Sequence, residues 1–340
     1  MLRSRARRLT AGIAIAVAVA AVITFVVLWR YPSDTYLFLP DKAHPASAVV
    51  SVRGARPQKA GGIYFLDVIE RKATLLEDMF HGIVPSGGQF VNLSDVQPAG
   101  VSASQVQRFE LQEMATSQQI AAAVALRQLG YTVHVSAAGA LIVAIGPGTP
   151  AEGKLVPGDV IVSVDGQRAE TPEQARVLLR RRRPGATVSL GVRNQSGLRT
   201  VVVKTIADPS DRSRPLVGVL LEQAAHIKLP FPVTIDTGNI GGPSAGLAFA
   251  LEVMEKLGRN VDRGYRIAAT GEIFLDGAVG PIGGVEQKTI GARRSGVEIM
   301  LVPAGDNAAV ARRYAGNMRV IPVESFRQAL HTLATLPSKG

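Results

Sequence analysis

The run from Ala11 to Trp29, AGIAIAVAVAAVITFVVLW, contains no charged side chain. At about 1.5 Å per helical residue it reaches about 28 Å, close to the hydrocarbon thickness of a bilayer. A cleavable signal peptide also starts with a basic region, but its apolar core is about 7–15 residues and leads to a small-residue cleavage site. Here the run is longer, and Trp29, Arg30 and Tyr31 close it, residues that sit well at a membrane interface. The run therefore predicts an uncleaved, single-pass transmembrane helix over 11–29, with the cytoplasmic membrane as partner. Arg3, Arg5, Arg7 and Arg8 precede it, so residues 1–10 are expected to form a cytoplasmic basic tail. Everything after Tyr31 is then extracytoplasmic.

The formal charge of +11 raises nucleic acid as a partner. Outside the N-terminus the one dense cluster is Arg180 to Arg183, with no interleaved aromatics of the kind a base-stacking surface uses. It reads as a solvated helix end, and no nucleic-acid partner is expected. The absence of cysteine removes thiol catalysis, thiolate-bound metals and disulfides together. No His-Glu-x-x-His spacing occurs either, so neither a metal nor any other cofactor is expected. With 46% hydrophobic and 19% charged residues, the rest is core-bearing rather than disordered.

Residues 32–130 hold two strand candidates, Ala48–Val52 and Gly62–Ile69, then a helical period from about Ser102 to Leu129 that Gly130 stops. Gly139–Ile145 and Pro157–Gly166 read as strands around a short turn and helix. Thr171 to Arg182 reads as a helix with Thr171 as N-cap and Pro172 at its first position. Thr187–Val192 and Leu198–Thr205 read as two further strands. Over residues 132–206 this order resembles a small β-rich PDZ domain of the protease-associated type, carried by Pro157-Gly-Asp-Val-Ile161 and Asp165-Gly166. The resemblance implies a peptide groove between the Gly139–Ile145 strand and the following helix. A C-terminal carboxylate would rest on N–H groups near Ala138, Gly139, Ala140, Leu141 and Ile142.

Residues 207–340 read as alternating strands and helices, an α/β pattern. Asn239–Ala250 leaves a strand, turns on glycines and opens a helix, placing Ser244 beside unpaired N–H groups and the positive end of a helix dipole. Alone, such a serine reads as a cap. Lys288 follows 44 positions later, early in a helix that starts after Gly284, with Glu286, Gln287 and Arg293 as its polar side. Alone, such a lysine reads as solvated.

In order, however, Gly242-Pro-Ser-Ala-Gly246, Thr270-Gly-Glu272, Pro281-Ile-Gly-Gly284, Lys288 and Val302-Pro303 resemble the proteolytic domain of the Lon peptidases. With the PDZ segment and the apolar run, the chain is similar to a membrane-anchored, PDZ-containing branch of that family that lacks the ATPase module. The resemblance implies an α/β (α+β) fold, a serine–lysine dyad of Ser244 and Lys288, protein or peptide substrates and a homo-oligomeric ring. Thr270 is the candidate for orienting the lysine, and the N–H groups around Gly242 and Ala245 are candidates for an oxyanion hole. Many members carry an acid just before the Gly-Pro-Ser-Ala-Gly run, where this chain has Gly241.

The chemistry points the same way. A serine hydroxyl needs a neighbouring base, and none of the five histidines has a recognisable triad context. Lys288 would have to be neutral part of the time, its pKa falling from about 10.4 toward 7–8 through apolar burial. No Gly-Lys-Ser/Thr sequence exists to cradle a nucleoside phosphate, so the expected substrates are unfolded or tail-captured chains. A non-catalytic membrane scaffold and a small-molecule kinase of related architecture are the alternatives. In a further expectation, the 48–69 strands join the sheet of the C-terminal domain, which makes the PDZ segment an insertion.

Overall fold

The computed structural model describes residues 2–55, 61–97, 102–194 and 196–339, with residues 2–11 in backbone alone. Helix α1 (Leu2–Arg30) is unbroken, and its side chains from Gly12 to Arg30, of mean hydropathy 2.7, pack against almost nothing. By length and composition it is able to cross a membrane.

After it come β1 (Pro32–Pro40), β2 (Val50–Val52), β3 (Gly62–Phe65), β4 (Val68–Thr74) and β5 (Gln89–Asn92). Strand β1 runs antiparallel between β4 and β5. Helix α2 (Ala103–Gln128) starts on a capping box, in which the Ser102 hydroxyl accepts from Gln105 N–H while the Gln105 side chain accepts from Ser102 N–H.

The next unit holds β6 (His134–Ile145), β7 (Val160–Val164), α3 (Pro172–Arg180), β8 (Thr187–Asn194), β9 (Gly197–Lys204) and β10 (Val219–Lys228). The strands order as β9-β8-β7-β6-β10. Ile142, Ile161, Leu190 and Val203 fill its core, with Leu179 of α3 laid across them. Residues 219–228, which sequence reading assigns to the C-terminal domain, pair antiparallel with β6 at the end of this sheet.

The last unit contains β11 (Val233–Ile235), α4 (Gly246–Lys256), β12 (Arg266–Ala269), α5 (Val285–Arg294), β13 (Ile299–Pro303), α6 (Asp306–Tyr314), β14 (Arg319–Val323) and α7 (Phe326–Ala334). Its main sheet runs β3-β12-β13-β14 with all four strands parallel, and His44–Pro45 adds antiparallel to β3. Both faces are apolar, as parallel sheets between helix layers require. Ile267, Ala269, Ile299 and Leu301 face α2, α4 and α7, whereas Ala268, Met300 and Val302 face α5 and α6. Strand β11 pairs with β2, and β12 pairs with β3. Segments before and after the small β-unit thus share one sheet and one core, and α2 packs along α4.

One glycine fixes how closely the N-terminal segment crosses this core. A Cβ on Gly291 of α5 would lie 1.9 Å from the Asp41 carbonyl oxygen. Backbone on both sides leaves little room to shift. Gly291→Ala is therefore expected to destabilise the fold by about 1–3 kcal/mol, read as a lower urea midpoint with an unchanged slope.

Candidate active site

Ser244 lies in the turn that delivers the chain into α4, with Ala245 at the cap and Gly242 at φ +81. That left-handed angle suits glycine and turns the chain sharply enough to lift the serine out of the sheet. Two segments hold the turn. Gly242 N–H donates to the Glu110 carbonyl at 2.8 Å, and the Ser117 hydroxyl donates to the Pro243 carbonyl at 2.9 Å, both from α2. The Ser244 carbonyl accepts from Gly271 N–H at 2.7 Å and from the Thr270 hydroxyl at 3.1 Å.

Lys288 sits in the first turn of α5, which Gly284 opens in a left-handed conformation. Its side chain is 5% exposed, and Nζ donates to Ser244 Oγ at 2.8 Å. Burial pushes the amine's pKa down to about 8, against the pull of the nearby Asp67 and Glu70 carboxylates. At pH 7 roughly a tenth of such amines are uncharged, enough for a base that acts near neutrality. The pair opens into a cleft of about 490 Å³ whose walls include Phe38, Leu66, Met114 and Ile240, with Asp67, Glu70 and Glu110 at hand.

The structure brings Ser244 and Lys288 together and separates the other sequence candidates. Thr270 bonds the serine's carbonyl and makes no hydrogen bond to Lys288 among the described residues, so it positions the serine rather than the lysine. Gly242 N–H is engaged by Glu110 and is unavailable to an oxyanion. Ala245 N–H has no acceptor among the described residues, which leaves it the better donor. Gln287, read as solvated, is fully buried and donates to the Gly87 carbonyl at 3.2 Å, because the β1–β5 segment covers that face of α5.

The β6 strand, to which the resemblance assigns one wall of a peptide groove, is an inner strand of its sheet. Ala138 to Ile142 have no free edge, because β10 pairs along the whole of β6, from Val219 opposite Ile145 to Lys228 opposite His134. The sheet ends on β9 at one side and on β10 at the other. Between β10 and α3 lies a cavity of about 440 Å³, lined by Arg176, Leu179, Leu216, Gly218, Val219 and Leu221. A lone strand this far along the chain has no sequence signal that allots it to one sheet or the other.

Among the described residues there is one ligand-type cluster: His44 Nε2 lies 3.0 Å from Asp41 and 3.2 Å from Asp67, and Asp67 Oδ1 is buried without a hydrogen-bond partner.

A serine and a buried lysine thus meet in one cleft beside a parallel sheet packed between helix layers. Residues 219–335 match the family described as the Lon protease (S16) C-terminal proteolytic domain, and residues 127–205 match the PDZ domain. The chain thus carries a Lon-type proteolytic domain together with a PDZ domain. It is 33% identical to Lon protease 2 of Bacillus subtilis over 112 residues, 33% of this chain and 19% of that one. It is 36% identical to the Lon protease of Brucella suis over 100 residues, 28% of this chain and 12% of that one. The match therefore spans less than a fifth of the length of either relative. Among solved structures, the PDZ domain of the SdrC-like protein from Listeria innocua aligns with 25% of this chain and 96% of its own, at 23% identity and a TM-score of 0.24.

The buried amine has a thermodynamic signature. Its folded pKa of about 8 lies below the unfolded value of 10.5, so folding releases a proton between those values. Stability from this group is lowest below pH 8 and rises as pH climbs toward 10.5. Lys288→Met is expected to stabilise the protein at pH 7 by about 2–3 kcal/mol, a gain that shrinks toward pH 10.5. Thermal unfolding at both pH values measures it.

Proposed function

We propose that the chain is a membrane-anchored serine endopeptidase that cuts polypeptides with Ser244 as nucleophile and Lys288 as general base. The observation that carries this is the 2.8 Å hydrogen bond between Lys288 Nζ and Ser244 Oγ, made by an amine shielded from water. A neutral Nζ accepts the hydroxyl proton as Oγ attacks the scissile carbonyl. The developing oxyanion faces the Ala245 N–H at the positive end of α4. The ammonium then returns its proton to the leaving amine, and water hydrolyses the acyl-enzyme by the same steps in reverse. Thr270 and Ser117 hold the serine's backbone still during both half-reactions.

Two further parts of the reading concern delivery. The free edge of β10 beside α3 accepts an extended polypeptide tail by main-chain hydrogen bonding, with Leu179 and Leu216 offering an apolar seat. Helix α1 holds the cleft near a membrane on the extracytoplasmic side, as the preceding arginines dictate. In this reading the substrates are chains that are already unfolded, cut without ATP. Copies assemble as a homo-oligomeric ring.

Casein-like unfolded protein distinguishes this reading from a silent scaffold. Ser244→Ala and Lys288→Ala are each expected to lower kcat/KM by at least about 1,000-fold without ATP, and equal turnover by wild type and either variant refutes the dyad. The pH dependence gives a second check. Because Lys288 must be neutral, wild-type kcat/KM rises with pH through an apparent pKa of about 8. A rate that falls across pH 7–9 contradicts lysine as the base.

A further inference from the structure

We infer that the catalytic cleft selects polypeptides carrying a lysine or arginine side chain close to the scissile bond. This deepens the peptidase reading and rests on it for the position of that bond. The protein has a formal charge of +11, yet the charged residues that line the cleft are Asp67, Glu70, Glu110 and Lys288. Lys288 has to be neutral to act, so the cleft in its reacting state holds carboxylates and no cation of its own. Asp67 is engaged by His44 at 3.2 Å. Glu70 and Glu110 have no ion-pair partner among the described residues.

Glu110 is a fixed wall rather than a loose surface group. Its backbone carbonyl binds Gly242 N–H at 2.8 Å, within the serine's own turn. A Cβ on Gly241 would lie 2.7 Å from Glu110 Cβ and 3.4 Å from its Oε2. The turn is bare of side chain at the point where Glu110 crosses it, and helix α2 supplies there the carboxylate that residue 241 lacks. Partial burial holds the Glu110 carboxyl above the ordinary range, and burial together with Glu110 does the same to Glu70. Both are therefore carboxylates whose charge a guest cation would relieve.

The rest of the lining completes the fit. Phe38, Leu66, Met114 and Ile240 form apolar walls beside these acids. Lysine and arginine have that same division, an aliphatic stem that lies along apolar surface and a cationic head that reaches past it. A glutamate in the same place would meet like charge in a partly desolvated cleft.

The test uses the full chain in detergent and quenched-fluorescent peptides that differ only in one central residue: Lys, Gln or Glu. The expected kcat/KM for Lys exceeds that for Glu by at least about tenfold, a modest demand on one partly buried charge pair. Glu70→Gln with Glu110→Gln is expected to bring the Lys-to-Glu ratio close to one, and Glu70→Lys with Glu110→Lys to invert it. The ratio is internal to each variant, so a loss of folded protein does not imitate the result. Fluorescence anisotropy of the same peptides on Ser244→Ala reads affinity without turnover. Lys and Glu peptides that bind equally, or a preference that survives both double variants, overturn the inference. A wild type that cleaves none of the peptides, while Ser244→Ala still prefers Lys and loses that preference with Glu70 and Glu110, sinks the peptidase reading and leaves the selectivity standing.

Discussion

An amine that is 95% withdrawn from water and still hydrogen-bonded to a serine hydroxyl is the constraint around which the catalytic unit is arranged. Burying an ammonium ion is costly, and the fold meets that cost by lowering the proton affinity rather than by supplying a close counter-ion. The nearest carboxylates, Asp67 and Glu70, pull the other way without bonding the amine. Apolar burial prevails. A tight Lys288–carboxylate pair would be more stable and chemically inert, because its proton would not leave near neutral pH.

The serine is positioned with equal economy. Its turn is tied to α2 by Glu110 and Ser117 and to the sheet by Thr270 and Gly271. Helix α2 comes before the PDZ unit in the chain and the serine after it. The site is therefore assembled only when segments separated by the entire PDZ unit meet in one core, β2 on β11 and β3 on β12. This gives a physical link between the two units. Gln112 of α2 bonds the Gly158 carbonyl in the PDZ unit, and β10 hands the chain from the PDZ sheet to the strand just ahead of the serine's turn.

The parts legible in the sequence were those written locally. The 11–29 run, the Thr171 cap and the spaced Gly-Pro-Ser-Ala-Gly and Lys288 motifs each depend on neighbours a few residues away. The illegible parts depended on distant ones. Glu110 on a helical stretch looks like any solvated acid, and nothing nearby shows that it meets Gly241. Gln287 read as surface because the segment that covers it, around Gly87, lies about two hundred positions earlier. Thr270 was assigned to the lysine and bonds the serine's carbonyl instead, since a β-strand end gives no indication of which of two nearby groups its hydroxyl meets.

By itself the sequence determined the membrane-length helix, the alternation of strands and helices, and the spaced motifs that carry Ser244 and Lys288. Those follow from hydrophobic periodicity, capping and side-chain reactivity, which act over a turn or two of chain. Tertiary structure alone decided that β10 closes the edge of β6, that the chain on both sides of the PDZ unit builds one sheet, and that the amine of Lys288 is dry. Those outcomes depend on which backbone edges and apolar faces pair across long stretches of chain. That pairing is settled by the competition of all such surfaces for burial, and no local run of residues encodes it.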